Sequence, residues 1–508
     1  MRADSVSSSK SDTTPGERPG RRELWFLAIL CVAGAARILI GAAVLPFFAD
    51  TDEAFHFDLV HKFSRGFWPN RPVSLLDSET VELQIFDASP EFALEPKTVP
   101  AVGDYPPPLR SLRNATGIEN FVALQRTKLS QLPNHEAYEP PLYYALAAIW
   151  FDCGKSFGMS DRAGVYWLRC LNGLLYGLLI ATSYAVARPY FGGATALGVA
   201  ALVAFFPNPV YFTVSNDVLA PVTGAIALLL LLRWCHVDAP GRGLAAAAGA
   251  AAAAAVLVKL SSAAALTALV VALFMRLFRD GRWQKTAAYA WPMLLATAAP
   301  LALWVARNRI VLGNWSGTGG RLAVRGLKAK PLSEWLDHPL FTFGGLGEFL
   351  RKLCISLISG DSMSHGRPVH SAPVELYFLV TIPVLVVAAL VAAWSTGRRE
   401  KKIWDAAALS LVIVVVAVAA LAIMSLSIDF GAASFPSRES PYYAFGRLTG
   451  VALVPLLVLY AVGARALSGR RTALFAGFIS VSVLMMILGQ VGYLKGFASS
   501  QFNWFRLS

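Results

Sequence analysis

Charge is scarce in this chain. Only 15% of its 508 residues are Asp, Glu, Lys or Arg, against about a quarter in soluble domains, while 56% are hydrophobic. That balance excludes an ordinary soluble enzyme and describes an integral membrane protein. Cysteine is sparse as well. Cys31, Cys153, Cys170, Cys235 and Cys354 stand singly with no Cys-x-x-Cys pair, which removes redox and zinc-ribbon readings and leaves packing thiols. His365 and His370 flank Gly366-Arg367-Pro368 near Asp361, but their spacing fits no zinc pattern, so they read as loop residues. No Gly-rich phosphate loop or Walker motif is present, so energy must come from an activated donor or an ion gradient. The net charge of +13 is spread over short connections without a basic-aromatic patch, which excludes a nucleic-acid partner.

What the chain has in quantity is apolar sequence. Runs near the roughly 20 residues needed to cross a bilayer recur at 24–46, 164–187, 192–213, 216–234, 243–258, 261–278, 286–310, 373–394, 403–427, 446–464 and 472–494. The expectation is an all-α polytopic membrane protein of about eleven transmembrane helices. Residues 1–23 are polar and read as a disordered cytoplasmic tail. The first run is too long for a signal-peptide core and stays as an anchor.

Arg188, Arg233 with Arg242, the group Arg276 to Lys285, the group Arg398 to Lys402, and Arg465 to Arg471 fall in alternate connections. Positive connections stay in the cytoplasm, so two long loops, 47–163 and 311–372, face outward from the inner (plasma) membrane. The C-terminal helices follow over 373–508. Pro140–Phe157 is short and opens on a proline pair, so it reads as an amphipathic helix lying on the outer surface. Asn114-Ala115-Thr116 matches a glycosylation sequon, a triplet that also arises by chance.

The first outer loop holds sixteen of the 32 acidic residues, among them Glu79, Glu82, Asp87, Glu91 and Asp104. Its start, Asp50-Thr51-Asp52-Glu53-Ala54-Phe55-His56-Phe57, is the most informative stretch. Three carboxylates and a histidine at a membrane boundary are costly and suit a general base, a divalent-cation site or a proton path.

Asp52-Glu53 followed by His56-Phe57 resembles the Asp-Glu-x-x-His-Phe form of the acidic motif in the first outer loop of the GT-C superfamily of membrane glycosyltransferases. One N-terminal span, a long outer loop with surface helices, six further spans and a second long outer loop are similar to that layout, most clearly over residues 24–310. Protein O-mannosyltransferases and bacterial aminoarabinose transferases are the best-described members. The resemblance implies transfer of a sugar from a polyprenyl-phosphate donor to an acceptor on the outer face. It makes Asp52 the base and Glu53 a supporting acid that orients neighbours or a cation. His56 stands four residues past Asp52 and would share its helix face. The resemblance assigns no certain cofactor, although a divalent cation is compatible with it, and it names neither the sugar nor the acceptor.

His135 opens His-Glu-Ala-Tyr-Glu-Pro-Pro-Leu-Tyr-Tyr, which is similar to the His-x-Pro-Pro-Leu-Tyr-Tyr element of relatives with three residues inserted. Asp217 begins an apolar helix, where a carboxylate caps free N–H groups, and the same turn in the superfamily lies beside the catalytic cavity. Cations are needed for a departing phosphate. Arg447 lies in Gly446-Arg447-Leu448, similar to a Gly-Arg-Tyr element of bacterial relatives. Arg307, Arg309, Arg169 and Lys259 stand at other outer helix ends, where arginine also snorkels to headgroups. The alternative activity is a transporter or flippase of a lipid-linked sugar, with acids carrying protons. Against it, the acids sit in loops and no internal repeat is present.

Overall fold

The computed structural model describes residues 18–49, 52–69, 73–89, 107–112, 117–361, 363–364, 367–397, 400–431, 433, 436–469 and 471–506. Asp50, Glu91, Asp104, the sequon at Asn114, His365, Arg398, Arg399, Arg470 and most of the polar tail lie outside them.

Apolar runs without water must pair their backbone groups internally, and these runs do so as helices. α1 (Arg21–Val44) leads to four helices of the first long loop: α2 (Glu53–Ser64), α3 (Ser78–Asp87), α4 (Ile118–Ser130) and α5 (Leu142–Ser156). Next come α6 (Asp161–Ala204), α7 (Leu219–His236), α8 (Arg242–Val258), α9 (Ala264–Asp280) and α10 (Trp283–Leu312). The second long loop carries α11 (Thr318–Val324) and α12 (Phe343–Ser359). α13 (Ala372–Gly397), α14 (Lys401–Ser427), α15 (Leu453–Ser468) and α16 (Thr472–Ala498) finish the chain. The protein is an all-helical, multi-pass membrane protein.

Among the described residues, nine helices are long and apolar enough to cross a bilayer, beside the eleven apolar runs expected to span. Two features account for the difference. The runs 164–187 and 192–213 form one 44-residue helix, α6, folded on itself at Gly192 (φ 79°, ψ 169°), a conformation open to glycine. Its limbs lie side by side, with Tyr176 Oη donating to the Val203 carbonyl at 2.6 Å. α8 has only 17 residues; its small face (Ala245, Ala248, Ala252, Ala255) is buried where it packs on α7 and α10. Small residues of this kind let backbones approach closely. α5 is not among the nine. It has 15 residues and rests on α2 and α6.

Among the described residues, four two-residue strands join the loops: β1 (Lys328–Ala329), β2 (Met363–Ser364), β3 (Arg367–Pro368) and β4 (Ile428–Asp429). β2 and β3 form a small hairpin. β1 pairs antiparallel with β4, Lys328 opposite Asp429, which ties the second long loop to the segment that runs from α14 to Arg447. Alternate connections meet at one face of the bundle, and the acidic motif lies there. The opposite face holds Glu23 with Arg188 (2.7 Å) and His236 with Asp405 (3.2 Å).

Candidate active site

Asp52 immediately precedes α2. Its carbonyl accepts from the Phe55 and His56 N–H groups, while its carboxylate makes no capping bond. The side chain is therefore available to tertiary partners, and three reach it from distant segments. Arg447 Nη2 lies 2.5 Å from Oδ2; His135 Nε2 lies 3.1 Å and Arg325 Nη2 3.4 Å from Oδ1. Asp52 is 5% exposed. Burial works against its charge, but Arg447, His135 and Arg325 outweigh it and hold the carboxyl well below the usual carboxylate range. It is a standing anion.

Glu53 points elsewhere. Arg169 grips both its oxygens (Nε to Oε1 2.8 Å, Nη2 to Oε2 2.6 Å), and the Val214 N–H donates to Oε1 at 2.9 Å. Arg169 also donates to the carbonyls of Ala42, Leu45 and Pro46. Both side chains are shut off from solvent. The pair thus binds the end of α1, the first limb of α6 and the turn before α7 into one unit. Glu53 thus acts on its surroundings through Arg169.

Asn134 sets the 135–139 turn against α2. Its side chain accepts from the Glu136 N–H at 2.8 Å and donates to the Phe55 carbonyl (2.9 Å) and Asp58 Oδ2 (2.6 Å). Lys62 pairs with the same Asp58 oxygen at 2.6 Å. That placement brings Glu136 beside His135 (3.2 Å) and near His56 (3.9 Å). His56 Nδ1 bonds the Tyr144 hydroxyl at 2.9 Å. Burial pushes the imidazole below its ordinary value, against the pull of Glu136 and Asp52.

Arg321, on α11, pairs with Glu136 at 2.8 Å and with Glu139. Burial opposes charge on both carboxylates. Arg321 and the two histidines still hold Glu136 well below the usual range, while burial leaves Glu139 above it despite Arg321, with Glu136 adding repulsion. Two acids sharing one arginine divide in this way.

Asp217 meets Lys259 Nζ at 2.5 Å and accepts from Ser215 Oγ at 3.0 Å. The cap at this turn is Ser215, which accepts from the Asp217 N–H, so capping does not account for the Asp217 carboxylate. Lys259 also donates to Asn216 Oδ1, and Asn216 to Glu139. Gly446, beside Arg447, donates its N–H to Ser356 Oγ at 2.6 Å. A Cβ there would collide with the Leu357 backbone, so this close approach fixes where Arg447 leaves the chain.

Among the described residues, five carboxylates (Asp52, Glu53, Glu136, Glu139, Asp217) thus meet five cations (Arg169, Lys259, Arg321, Arg325, Arg447). Asp52, His56, His135, Asp217 and Arg447 are brought together as expected. Arg307 is not. It bonds the Pro69 carbonyl and Asn308 and lies over the Trp68 ring. Arg309 is exposed and bonds Gly313. Glu136, Glu139, Arg321 and Arg325 are additional members; the one sequence signal for the arginines is their spacing of four, one helical turn. Asp52 Oδ1, His135 Nε2 and Glu136 Oε1 also lie within 4.8 Å of one another, a donor set able to hold a divalent cation, though arginines already pair with both carboxylates.

No protein-family model and no curated protein matches the chain. Among solved structures, the chain is similar to the oligosaccharyltransferase of Archaeoglobus fulgidus in its apo form, at 12% identity over 94% of this chain and 56% of that one, TM-score 0.49. The same archaeal enzyme, AglB, in complex with an inhibitory peptide and a dolichol-phosphate gives 12% identity, the same coverages and a TM-score of 0.47. ArnT from Cupriavidus metallidurans bound to undecaprenyl phosphate gives 17% identity over 88% of this chain and 78% of that one, TM-score 0.35. The chain spans little more than half the length of the archaeal enzyme it matches.

Proposed function

We propose that the protein is a GT-C-type glycosyltransferase that moves a sugar from a polyprenyl-phosphate donor to an acceptor hydroxyl at the face bearing Asp52. The observation that carries this reading is the convergence of Arg447, Arg325 and His135 on one buried carboxylate that performs no helix-capping.

In the proposed reaction, the acceptor oxygen bonds to the sugar's anomeric carbon. The bond from that carbon to the phosphate oxygen breaks, and the polyprenyl phosphate leaves with the electron pair. Asp52 takes the hydroxyl proton, a contribution of about 10²–10⁴-fold for a positioned base. Arg447 and Arg325 supply positive charge to the departing phosphate, for which the guanidinium's planar fork is suited. The same cations keep Asp52 ionised before the donor arrives, and their turning toward phosphate raises its basicity. His135 spans Asp52 and Glu136 and holds the carboxylate's orientation. A divalent cation at Asp52, His135 and Glu136 would polarise the same groups. The arginine pairs favour charge neutralisation by the chain itself. Clustering of the acids at one end of the bundle favours transfer over transport.

Membranes with and without the protein are to be supplied with radiolabelled polyprenyl-phosphate sugars and the labelled product identified. Label should move to an acceptor only with the protein present, and Asp52→Asn, nearly isosteric, should abolish transfer while expression and folding persist. Normal transfer by that variant would remove Asp52 from its role. Lipid-sugar movement without any transfer in the unaltered protein would favour the transporter.

A further inference from the structure

α12 lies in the loop between two membrane-crossing helices, yet its apolar surface extends well beyond the side that faces the core. Its inward stripe, Gly345, Phe349, Leu353 and Ser356, is buried, and the Leu340, Phe349 and Leu353 side chains join a small core with Ile428, Tyr442 and Tyr443. Its other side repeats Phe343, Leu346 and Leu350, and all three are exposed, Phe343 at 97%. The segment leading into the helix adds Leu332, Leu336 at 76% and Phe341. A helix facing water presents charged residues on its outer side, and an exposed apolar surface of this kind marks a contact site.

Position in the fold says what makes the contact. α12 packs on α13 and α16, both of them membrane-crossing by length and composition. Its last residue, Ser359, is followed by α13 at Ala372, where Leu376 and Val380 are again exposed. The helix therefore sits level with the ends of the spans, where headgroups meet acyl chains. Of the charged residues of α12, Arg351 pairs with Glu348 at 2.7 Å and Lys352 turns to Ser440 and the Tyr442 ring, which leaves the Phe343, Leu346 and Leu350 side purely apolar.

We propose that the 341–350 segment is a membrane-docking surface, with Phe343, Leu346 and Leu350 inserted at the boundary of headgroups and acyl chains in the leaflet adjoining the active-site face. An amphipathic helix of this kind settles about 5–10 Å into that boundary. The contact holds the second long loop, and with it Arg321 and Arg325, at a fixed height above the bilayer. It does not depend on the chemistry assigned to Asp52.

The test uses the full chain in nanodiscs with Phe343→Cys or Leu350→Cys carrying a fluorophore. Ser333→Cys marks an exposed polar site of the same loop and Val380→Cys a site within α13. Labelled unsubstituted protein provides the background from native cysteines. Lipids brominated on their acyl chains should quench the labels at 343 and 350 several-fold more than the label at 333, and approach the effect at 380. Aqueous iodide should show the reverse order. Equal iodide quenching at 333, 343 and 350, with no effect of brominated lipid at the last two, would overturn the proposal and assign the face to a water-borne partner. Both positions are exposed, so substitution there leaves the core intact.

Discussion

Arg447 Nη2 lies 2.5 Å from Asp52 Oδ2, across 395 positions of sequence. This single contact joins the start of the first long loop to the entry of α15, and it sets the first test. Arg447→Lys keeps the charge and loses the fork; Arg447→Ala loses both. A charge-assisted contact is worth about 1.5–3 kcal/mol, so donor kcat/KM should fall roughly tenfold to a hundredfold in the alanine variant, with lysine between. Equal values in all three proteins would leave Arg447 as a structural partner of Asp52.

Glu53 and Asp52 are neighbours in sequence and should separate sharply on substitution. Glu53→Gln leaves Arg169 as a buried cation without its counter-charge, and breaking such a pair costs about 3–5 kcal/mol. The expected result is a lower unfolding temperature in detergent, with transfer lost through instability. Asp52→Asn, whose partners Arg447 and Arg325 are partly exposed, should lower that temperature less. The reverse pattern would exchange the roles of the two acids.

The acid limb of the pH profile follows from the depressed Asp52 value. Asp52 should remain ionised as pH falls past its unfolded value of about 3.9, so the limb for kcat/KM lies below the usual carboxylate range. Its contribution to stability has the same sign: present above the unfolded value, lost as pH falls through the folded one. Arg447→Ala removes the largest cationic influence and should move the limb upward in pH. A limb that stays fixed would mean that Asp52 is not the titrating base.

Chelation separates the two ways of neutralising the Asp52, His135 and Glu136 group. With Arg325, Arg447 and Arg321 already paired there, transfer should survive prolonged chelator treatment and gain nothing from added Mg²⁺ or Mn²⁺. Abolition by chelator and recovery with metal would make the three side chains ligands.

Much of this site was legible in the sequence, for identifiable reasons. Asp52 stood out because charge beside a span is rare, and Arg447 because a glycine precedes an arginine at a helix entry. His135 reaches Asp52 even with three residues inserted before its proline pair, because the 135–138 turn is helical and takes up the extra length. Arg321 and Arg325 were not legible: a short helix in a polar loop has no periodicity to announce which way it faces. Arg307 looked equivalent to the other helix-end arginines, and only tertiary packing sends it to Trp68 and Pro69. The reversal of α6 at Gly192 was legible, because the runs 164–187 and 192–213 part at Arg188, although both limbs count as one helix.

The two-rung ladder of β1 and β4 closes a ring around the α13–α14 hairpin, with Arg325 just before one end and Arg447 soon after the other. Inside the ring, α12 is tied to the site through the Ser356 contact with Gly446, but the β2–β3 hairpin beyond it is not. Residues could be added or removed at that hairpin while the two guanidinium groups kept their spacing over Asp52. Such an arrangement lets the second long loop adapt to a different acceptor or a thicker bilayer without renegotiating the position of the charges that the leaving group would meet.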